Sequence, residues 1–579
     1  MQKKTIFIVF QIIVSFVVCH QALGQQPLNE WRYRFPLDIK PKVSGSFGEI
    51  RSNHFHSGLD LATNGKNGWP VFAADSGYVS RISVSPYGFG KALYIDHPAG
   101  ITTVYAHLEK FSENIDSLVT ARQYDNESFT LSATFEKREY PIKRGEIIGY
   151  SGNSGSSAGP HLHFEVRETR GQRPVDPLAF PNPVKDDVRP HIAGIKIYPL
   201  SEDAVINGKH EEQYFPAVFY NGAFHLKNNP HIKAGGTIGV GIEVLDYYTG
   251  SWRKCGVHSI DLQVNGKRHY NYTMNGFYFH ETRYLNSHID YSEKKKNHRT
   301  IQKSFVDPYN RIDLYKVDDK RGEIDLSAGT GYRLSYTVKD ISGNTSELKF
   351  NVSGGDSRSI PAESKDFPDS RDHIDASRSY YYEEDKHSVS FPEESFYRDT
   401  PASFRVEDSD ESLSGTVFSV LDETIPVHKW FDIKIPLPEE TDEEGLCGAK
   451  RSGNGESEYI GGELEGTYFV IKARSGGDYF LTRDTIPPEI RIKNKPVRMD
   501  YSQKKTLVAE VKDDFSGIEE YEATINGKWA LFEYDAKNDR IICFLDKVPF
   551  LKRGEEHTLL IEATDKAGQN SRLETNFRY

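Results

Sequence analysis

The sequence predicts a mainly β protein of several separate domains, on three observations. Its 579 residues hold 33 Tyr, 33 Phe and 47 Gly against 3 Met, a composition that suits pleated, half-buried sheets rather than helical bundles. Short β-branched and aromatic runs recur between Gly, Pro, Asn and Asp along the chain. A pattern around residues 243–344 returns around residues 510–569. The length allows about four domains at roughly 150 residues each. Lys plus Arg is 72 and Asp plus Glu 84, for a net charge of −12. That mild, spread acidity excludes a nucleic-acid binder, which needs a concentrated basic face.

The first 24 residues read as an export signal. Lys3 and Lys4 precede an apolar run from Ile6 to Val18, and Ala22-Leu23-Gly24 supplies small residues for cleavage after Gly24. The run is short for a bilayer and contains Gln11 and Ser15. Lipid anchoring at Cys19 is not expected, because Val18 stands where a small residue is wanted. The mature protein is therefore expected in the periplasm or cell envelope, soluble after signal cleavage. Cys255, Cys447 and Cys543 form no disulfide framework and read as small buried residues.

Residues 25–184 form the first expected domain. Val71-Phe72-Ala73-Ala74, Gly77-Tyr78-Val79, Ala92-Leu93-Tyr94-Ile95 and Thr102-Thr103-Val104-Tyr105 are its compact strand candidates. A polar insertion at 112–138 reads as a helical turn followed by a hairpin, and is the candidate for a segment that blocks or reshapes a cleft. Residues 185–354 and 486–579 carry the repeat. Glu243-Val244-Leu245-Asp246, Val264-Asn265-Gly266-Lys267 and Ser335 to Asn344 match Glu510-Val511-Lys512-Asp513, Ile525-Asn526-Gly527-Lys528 and Leu560 to Gln569 in the same order. Asn-Gly suits a type I′ turn, whose two central residues need positive φ. These copies are read as immunoglobulin-like β-sandwich modules, the first with an excursion from Tyr270 to Asn310 taken as a decorated loop. Residues 355–485 are read as a linker and a further β domain. The acidic clusters at 407–411 and 439–444 lack the spacing of a calcium loop and read as solvated faces.

The chemistry lies in the first domain. His56-Ser57-Gly58-Leu59-Asp60, Tyr105-Ala106-His107-Leu108, Gly152-Asn153-Ser154-Gly155 and Gly159-Pro160-His161-Leu162-His163-Phe164 follow in order. With 20 His in the chain, about one His-x-His is expected by chance, so the context carries the signal. Alternation on a strand puts His161 and His163 on one side, about 7 Å apart, so that one can bind a metal while the other leans over the site. His56 and Asp60 can converge across Gly58. Two imidazoles and a carboxylate form a ligand set that zinc accepts, with a fourth position left open, as catalysis requires. His54 as a fourth ligand would close the site, and His97 reads as a turn residue. The glycine-rich loop with Asn153 is expected to line the cleft. Glu165 and Tyr105 are candidates to orient the histidines.

The order H-x3-D, Y-x-H-L and G-P-H-L-H-F-E resembles the lysostaphin-type, or LytM-like, zinc metalloendopeptidases, over about Ile39 to Val166. The resemblance implies Zn2+ on His56, Asp60 and His163, with His107 and His161 as the unliganded catalytic histidines. It also implies a peptidoglycan peptide as substrate. All five positions are filled, unlike family members that only activate other enzymes. With no Glu in a His-Glu-x-x-His helix, proton transfer and oxyanion stabilisation fall to His107 and His161. The expected function is an exported endopeptidase of peptidoglycan stem peptides or cross-links. The alternative is a noncatalytic envelope scaffold or an activator of another cell-wall hydrolase. By fold analogy alone, the C-terminal β modules are expected to bind cell wall or an envelope protein partner.

Overall fold

The computed structural model describes residues 31–355, 373–439, 441–453 and 455–579. The predicted export signal and Cys19 lie outside the described residues. Among the described residues no helix is long and apolar enough to cross a membrane. Cys255, Cys447 and Cys543 are free and buried, as expected of small apolar residues.

The architecture is mainly β throughout. The N-terminal domain is built on an antiparallel sheet in the order Val43–Gly45, Leu59–Ala62, His161–Glu168, Ile101–Phe111, Lys91–His97, Gly77–Val84, Leu131–Thr134. An interior strand, His161–Glu168, puts Leu162, Phe164 and Val166 into a core with Leu59, Leu61, Tyr105, Ile95 and Ile148. Alternation then leaves His161, His163 and Glu165 on the opposite face.

The insertion differs from expectation. Glu113–Asp125 is a helix of 13 residues rather than a single turn, and Leu131–Thr134 pairs with Gly77–Val84 rather than forming its own hairpin. The helix buries only Ile115, Val119 and Gln123, a one-residue-wide stripe whose period is masked by the polar residues around it. It faces the C-terminal β domain, where the Tyr124 ring meets Trp529 edge-on at 5.2 Å and Lys547 pairs with Asp116 at 2.7 Å. His97 is likewise no turn residue: it ends the strand Lys91–His97, buried, with Nε2 at 2.8 Å from Thr103 Oγ1.

Three further β cores follow. The first gathers strands between His191 and Gly354 around Ile195, Ile242, Leu262 and Tyr336, and it also takes in Phe47 and Phe55 from the N-terminal domain. The second holds two five-stranded sheets around Phe391, Phe418 and Ile433. The third joins two four-stranded sheets around Leu507, Ile541 and Ile561.

Both Asn-Gly pairs turn as their chemistry demands. Asn265 and Gly266 have φ of 51° and 80°, Asn526 and Gly527 of 51° and 72°, and each pair closes a hairpin. Each Asn side chain also accepts a hydrogen bond from the adjacent strand, from Arg333 N or Thr558 N. The excursion after Tyr270 is more than decoration. Phe277 packs on Phe47 and Phe55, Thr282 Oγ1 accepts from Phe55 N at 2.7 Å, and Asn286 bonds Asn53.

Within that excursion His288 is 2% exposed, stacked on Tyr272 and bonded through Nε2 to Gln302. Burial lowers its pKa from 6.5 to about 4. Between these values the unfolded chain binds a proton that the folded chain excludes, so stability falls as pH falls through the window, by up to about 3 kcal/mol. Thermal melts from pH 7 to pH 4 are expected to show this slope, and His288→Gln to flatten it.

Candidate metal centre and active site

Strand register brings the site together. His163 lies opposite Asp60 on one neighbouring strand and Ala106 on the other, and His161 lies opposite Ala62. Residues opposite one another share a face, so Asp60, His161, His163 and Glu165 line one side of the sheet. His56 arrives from the loop before Leu59–Ala62. At Gly58 a Cβ would stand 2.6 Å from Phe164 O and 2.9 Å from His163 Cε1, so glycine alone lets this segment cross the strand so closely.

His107 reaches the same face by breaking the pattern. Plain alternation would send it into the core beside Tyr105. Its φ of 57° and a register shift between Lys91 and Leu93 turn it over instead. Its ring centroid ends 4.8 Å from that of His161 and 5.8 Å from that of His163.

Four imidazoles are held by their outer nitrogens. His56 Nδ1 is 2.7 Å from Ser46 O, His107 Nδ1 2.9 Å from Ser154 O, His161 Nδ1 2.8 Å from Gly159 O, and His163 Nε2 3.0 Å from Glu165 Oε1. Those oxygens accept, so each of these nitrogens carries a proton. The atoms left facing one another are His56 Nε2, His163 Nδ1 and Asp60 Oδ1, separated by 3.1, 3.0 and 2.9 Å. His161 Nε2 stands 3.4 Å from the same Asp60 oxygen.

Three such acceptors in contact, each at most 8% exposed, require positive charge among them, from a shared proton or a cation. Burial alone would raise the Asp60 pKa, but His56, His161 and His163 hold it well below the carboxylate range. Burial would lower His163, yet its bonds to Asp60 and Glu165 push it up to about 9. Burial likewise opposes ionisation of Glu165, but Arg167 and His163 bring it to about 2. Burial, then His163 and His161, push His107 down to about 3. The donor set, two imidazole nitrogens and one carboxylate oxygen on rigid strands, fits a tetrahedral divalent cation such as Zn2+ with a corner to spare.

Of the predicted site residues, His56, Asp60, His107, His161, His163 and Glu165 meet in this cluster, and Tyr105 and Asn153 do not touch it. Tyr105 lies opposite Phe164 on the core face, its hydroxyl accepting from Ala74 N and Thr103 Oγ1. It supports the core and does not touch the histidines, because odd and even positions of that strand face opposite ways until His107. Asn153 lies in the glycine-rich loop, where its carbonyl accepts from Lys537 Nζ of the C-terminal domain, as does Ser157 O at 2.9 Å. His54 turns away, bonding Ser52 O through Nδ1.

Several supporting residues left no motif. Ser57 and Arg167 both donate to Glu165. Arg51 bonds Asp60 Oδ2 at 3.0 Å and is itself paired with Glu49. The carbonyls of Ser46, Ser154 and Gly159 carry no side-chain signature. Arg167 alone was within reach of sequence reasoning, as the next residue of the same strand face after Glu165.

Residues 54–125 and 123–177 match the model of Peptidase family M23. The N-terminal domain is an M23 peptidase domain. Residues 371–484 match a Zu5-like domain. The chain is 32% identical over 152 residues to DD-carboxypeptidase/endopeptidase Mpg of Neisseria meningitidis, covering 25% of this chain and 29% of that protein. It is 30% identical over 161 residues to peptidoglycan DD-endopeptidase ShyA of Vibrio cholerae, covering 27% and 31%. A solved zinc-containing peptidase from Vibrio cholerae is 29% identical, covering 25% of this chain and 39% of that one, at a TM-score of 0.19. The chain thus spans about three tenths of the length of these curated relatives, 29% and 31%.

In the M23 domain Glu165 fixes the ring of His163, and orienting partners of this kind are worth about 10–100-fold in metal affinity. Glu165→Gln is expected to weaken Zn2+ binding by that factor in competition with a chromophoric chelator, with an unchanged far-UV spectrum as the check on folding.

Proposed function

We propose that the protein is an exported zinc-dependent endopeptidase that hydrolyses peptide bonds in peptidoglycan stem peptides or cross-links. The observation that carries this reading is the meeting of His56 Nε2, Asp60 Oδ1 and His163 Nδ1 beside two further histidines held by backbone carbonyls. The M23 match and relatives named as peptidoglycan DD-endopeptidases support the substrate class. The apolar, Lys-led N-terminus supports export.

His56, Asp60 and His163 are the residues that would hold the zinc. Bound there, Zn2+ would supply Lewis acidity towards a water molecule and a peptide carbonyl. His107 and His161 do the proton work. With Nδ1–H engaged by Ser154 O and Gly159 O, each ring keeps Nε2 for the reacting groups, taking a proton from water and returning one to the leaving amine. The same pair can donate to the oxyanion once protonated. The loop from Gly152 to Gly159 borders this pair, and Gly155, at φ 69° and with a Cβ position only 2.4 Å from Gly90 N, keeps it folded tightly against the segment before His107. Phe89, with its ring 5.1 Å from that of His163, shields the cluster from water.

Purified mature protein incubated with sacculi is expected to release peptide fragments in a reaction stopped by chelation and restored by Zn2+. His163→Ala should lose stoichiometric zinc and all release above background. His107→Ala and His161→Ala should keep zinc while kcat falls about 10²–10⁴-fold. Chelator-insensitive release, or full activity of His163→Ala, would overturn the reading.

A further inference from the structure

A second group of acids converges where the chain leaves the M23 domain. Asp186, Asp246 and Asp340 each offer a carboxylate oxygen within 4.8 Å of the others. Asp246 is 0% and Asp340 3% exposed. Both oxygens of Asp246 and Oδ2 of Asp186 are buried without a hydrogen-bond partner. The remaining oxygens are already engaged: Asp186 Oδ1 by Val188 N and Thr249 N, and both Asp340 oxygens by Asn344. None of the three acids is paired with a Lys, Arg or His among the described residues. Burial and then Asp340 push the pKa of the Asp246 carboxyl up to about 8, so holding these groups ionised costs several kcal/mol per ion unless a cation offsets it.

The sequence repeat places acids in the same positions of the C-terminal domain. Asp186 precedes Pro190 and the strand His191–Pro199, as Asp484 precedes Pro488 and the strand Glu489–Ile492. Asp246 follows the strand Ile232–Leu245 as Asp513 follows Thr506–Lys512. Asp340 follows Gly331–Lys339, and Asp565 ends Glu556–Asp565. There too, Asp513 Oδ1 and Asp565 Oδ2 are buried without partners, and Asp484 is 3% exposed. The second copy thus repeats the acid positions, with a buried, unpartnered oxygen on the matching residues Asp246 and Asp513, although its own close group is Asp484, Asp513 and Asp514.

We infer that Asp186, Asp246 and Asp340 form a binding site for a hard divalent cation of the Ca2+ class. An all-oxygen, carboxylate-rich set with no nitrogen or sulfur ligand selects Ca2+ over zinc-type metals, so the site is chemically distinct from the His56–Asp60–His163 cluster. The cation ties the segment leaving the M23 domain, at Asp186, to two strand ends of the next domain. It also stands behind the catalytic loop. Asp246 exchanges both backbone hydrogen bonds with Cys255, Gly256 N donates to Ser46 Oγ, and Ser46 O holds His56.

The test uses the full mature chain with its M23 site filled by Zn2+. Tb3+ is expected to bind and luminesce on excitation of nearby tyrosines such as Tyr248, to be displaced by Ca2+, and to lose at least about tenfold in affinity at this site in Asp246→Asn. Ca2+ should raise the melting temperature of the wild-type chain and of a control variant at the exposed Asp410→Asn, and raise that of Asp246→Asn markedly less. Asp340→Asn provides the same comparison should Asp246→Asn fail to fold, and the wild-type titration stands without either. A melting temperature indifferent to Ca2+, or a Ca2+ response undiminished in the folded variants, would overturn the site. Neither readout depends on peptidase activity.

Discussion

The contact on which the N-terminal domain depends is the cross-strand meeting of His163 and Asp60 at 2.9 Å, inside a sheet whose other face is solid core. Ionisable groups with so little water survive only when each polar atom is answered. His163 is answered by Glu165, Glu165 by Ser57 and Arg167, Asp60 by Arg51, and His56 by the Ser46 carbonyl. The result is a line of alternating charge across the sheet. Its rigidity holds three donor atoms together, which would lower the ordering cost of binding a cation.

That line is completed by parts of the chain far away in sequence. Phe47, next to Ser46, and Phe55, next to His56, are buried in the core of the next β domain. On the opposite edge, Lys537 clasps the glycine-rich loop next to His107 and His161, and Lys91 pairs with Glu533 at 2.8 Å. The insertion helix, by its position, serves as a bracket for the C-terminal domain. The β domains therefore hold both flanks of the histidine cluster.

Much of this arrangement was legible in the residues themselves. The strand His161–Glu168, with its two histidines on one face, follows from alternation around Leu162, Phe164 and Val166. Both Asn-Gly hairpins follow from the need for positive φ, while the choice of His56, Asp60 and His163 as a ligand set comes from the resemblance to the LytM-like peptidases. Tyr105 falls on the core face, away from the histidines. Its neighbour His107 does share the site, but only because the backbone turns left-handed there, and a local reversal of this kind has no signature in residue type. The helix Glu113–Asp125 gives little sequence signal because its buried stripe is too narrow to stand out from its charged surface.

Local chemistry in the chain thus determined the β character, the Asn-Gly hairpins and the placing of His161 and His163 on one strand face, since strand period and turn stereochemistry are properties of a few neighbouring residues. Only the tertiary structure decided which oxygen orients each imidazole, which way His107 faces, and that Asp186, Asp246 and Asp340 meet. Those outcomes depend on strand register and on backbone carbonyls brought together across long separations, which every residue type supplies alike.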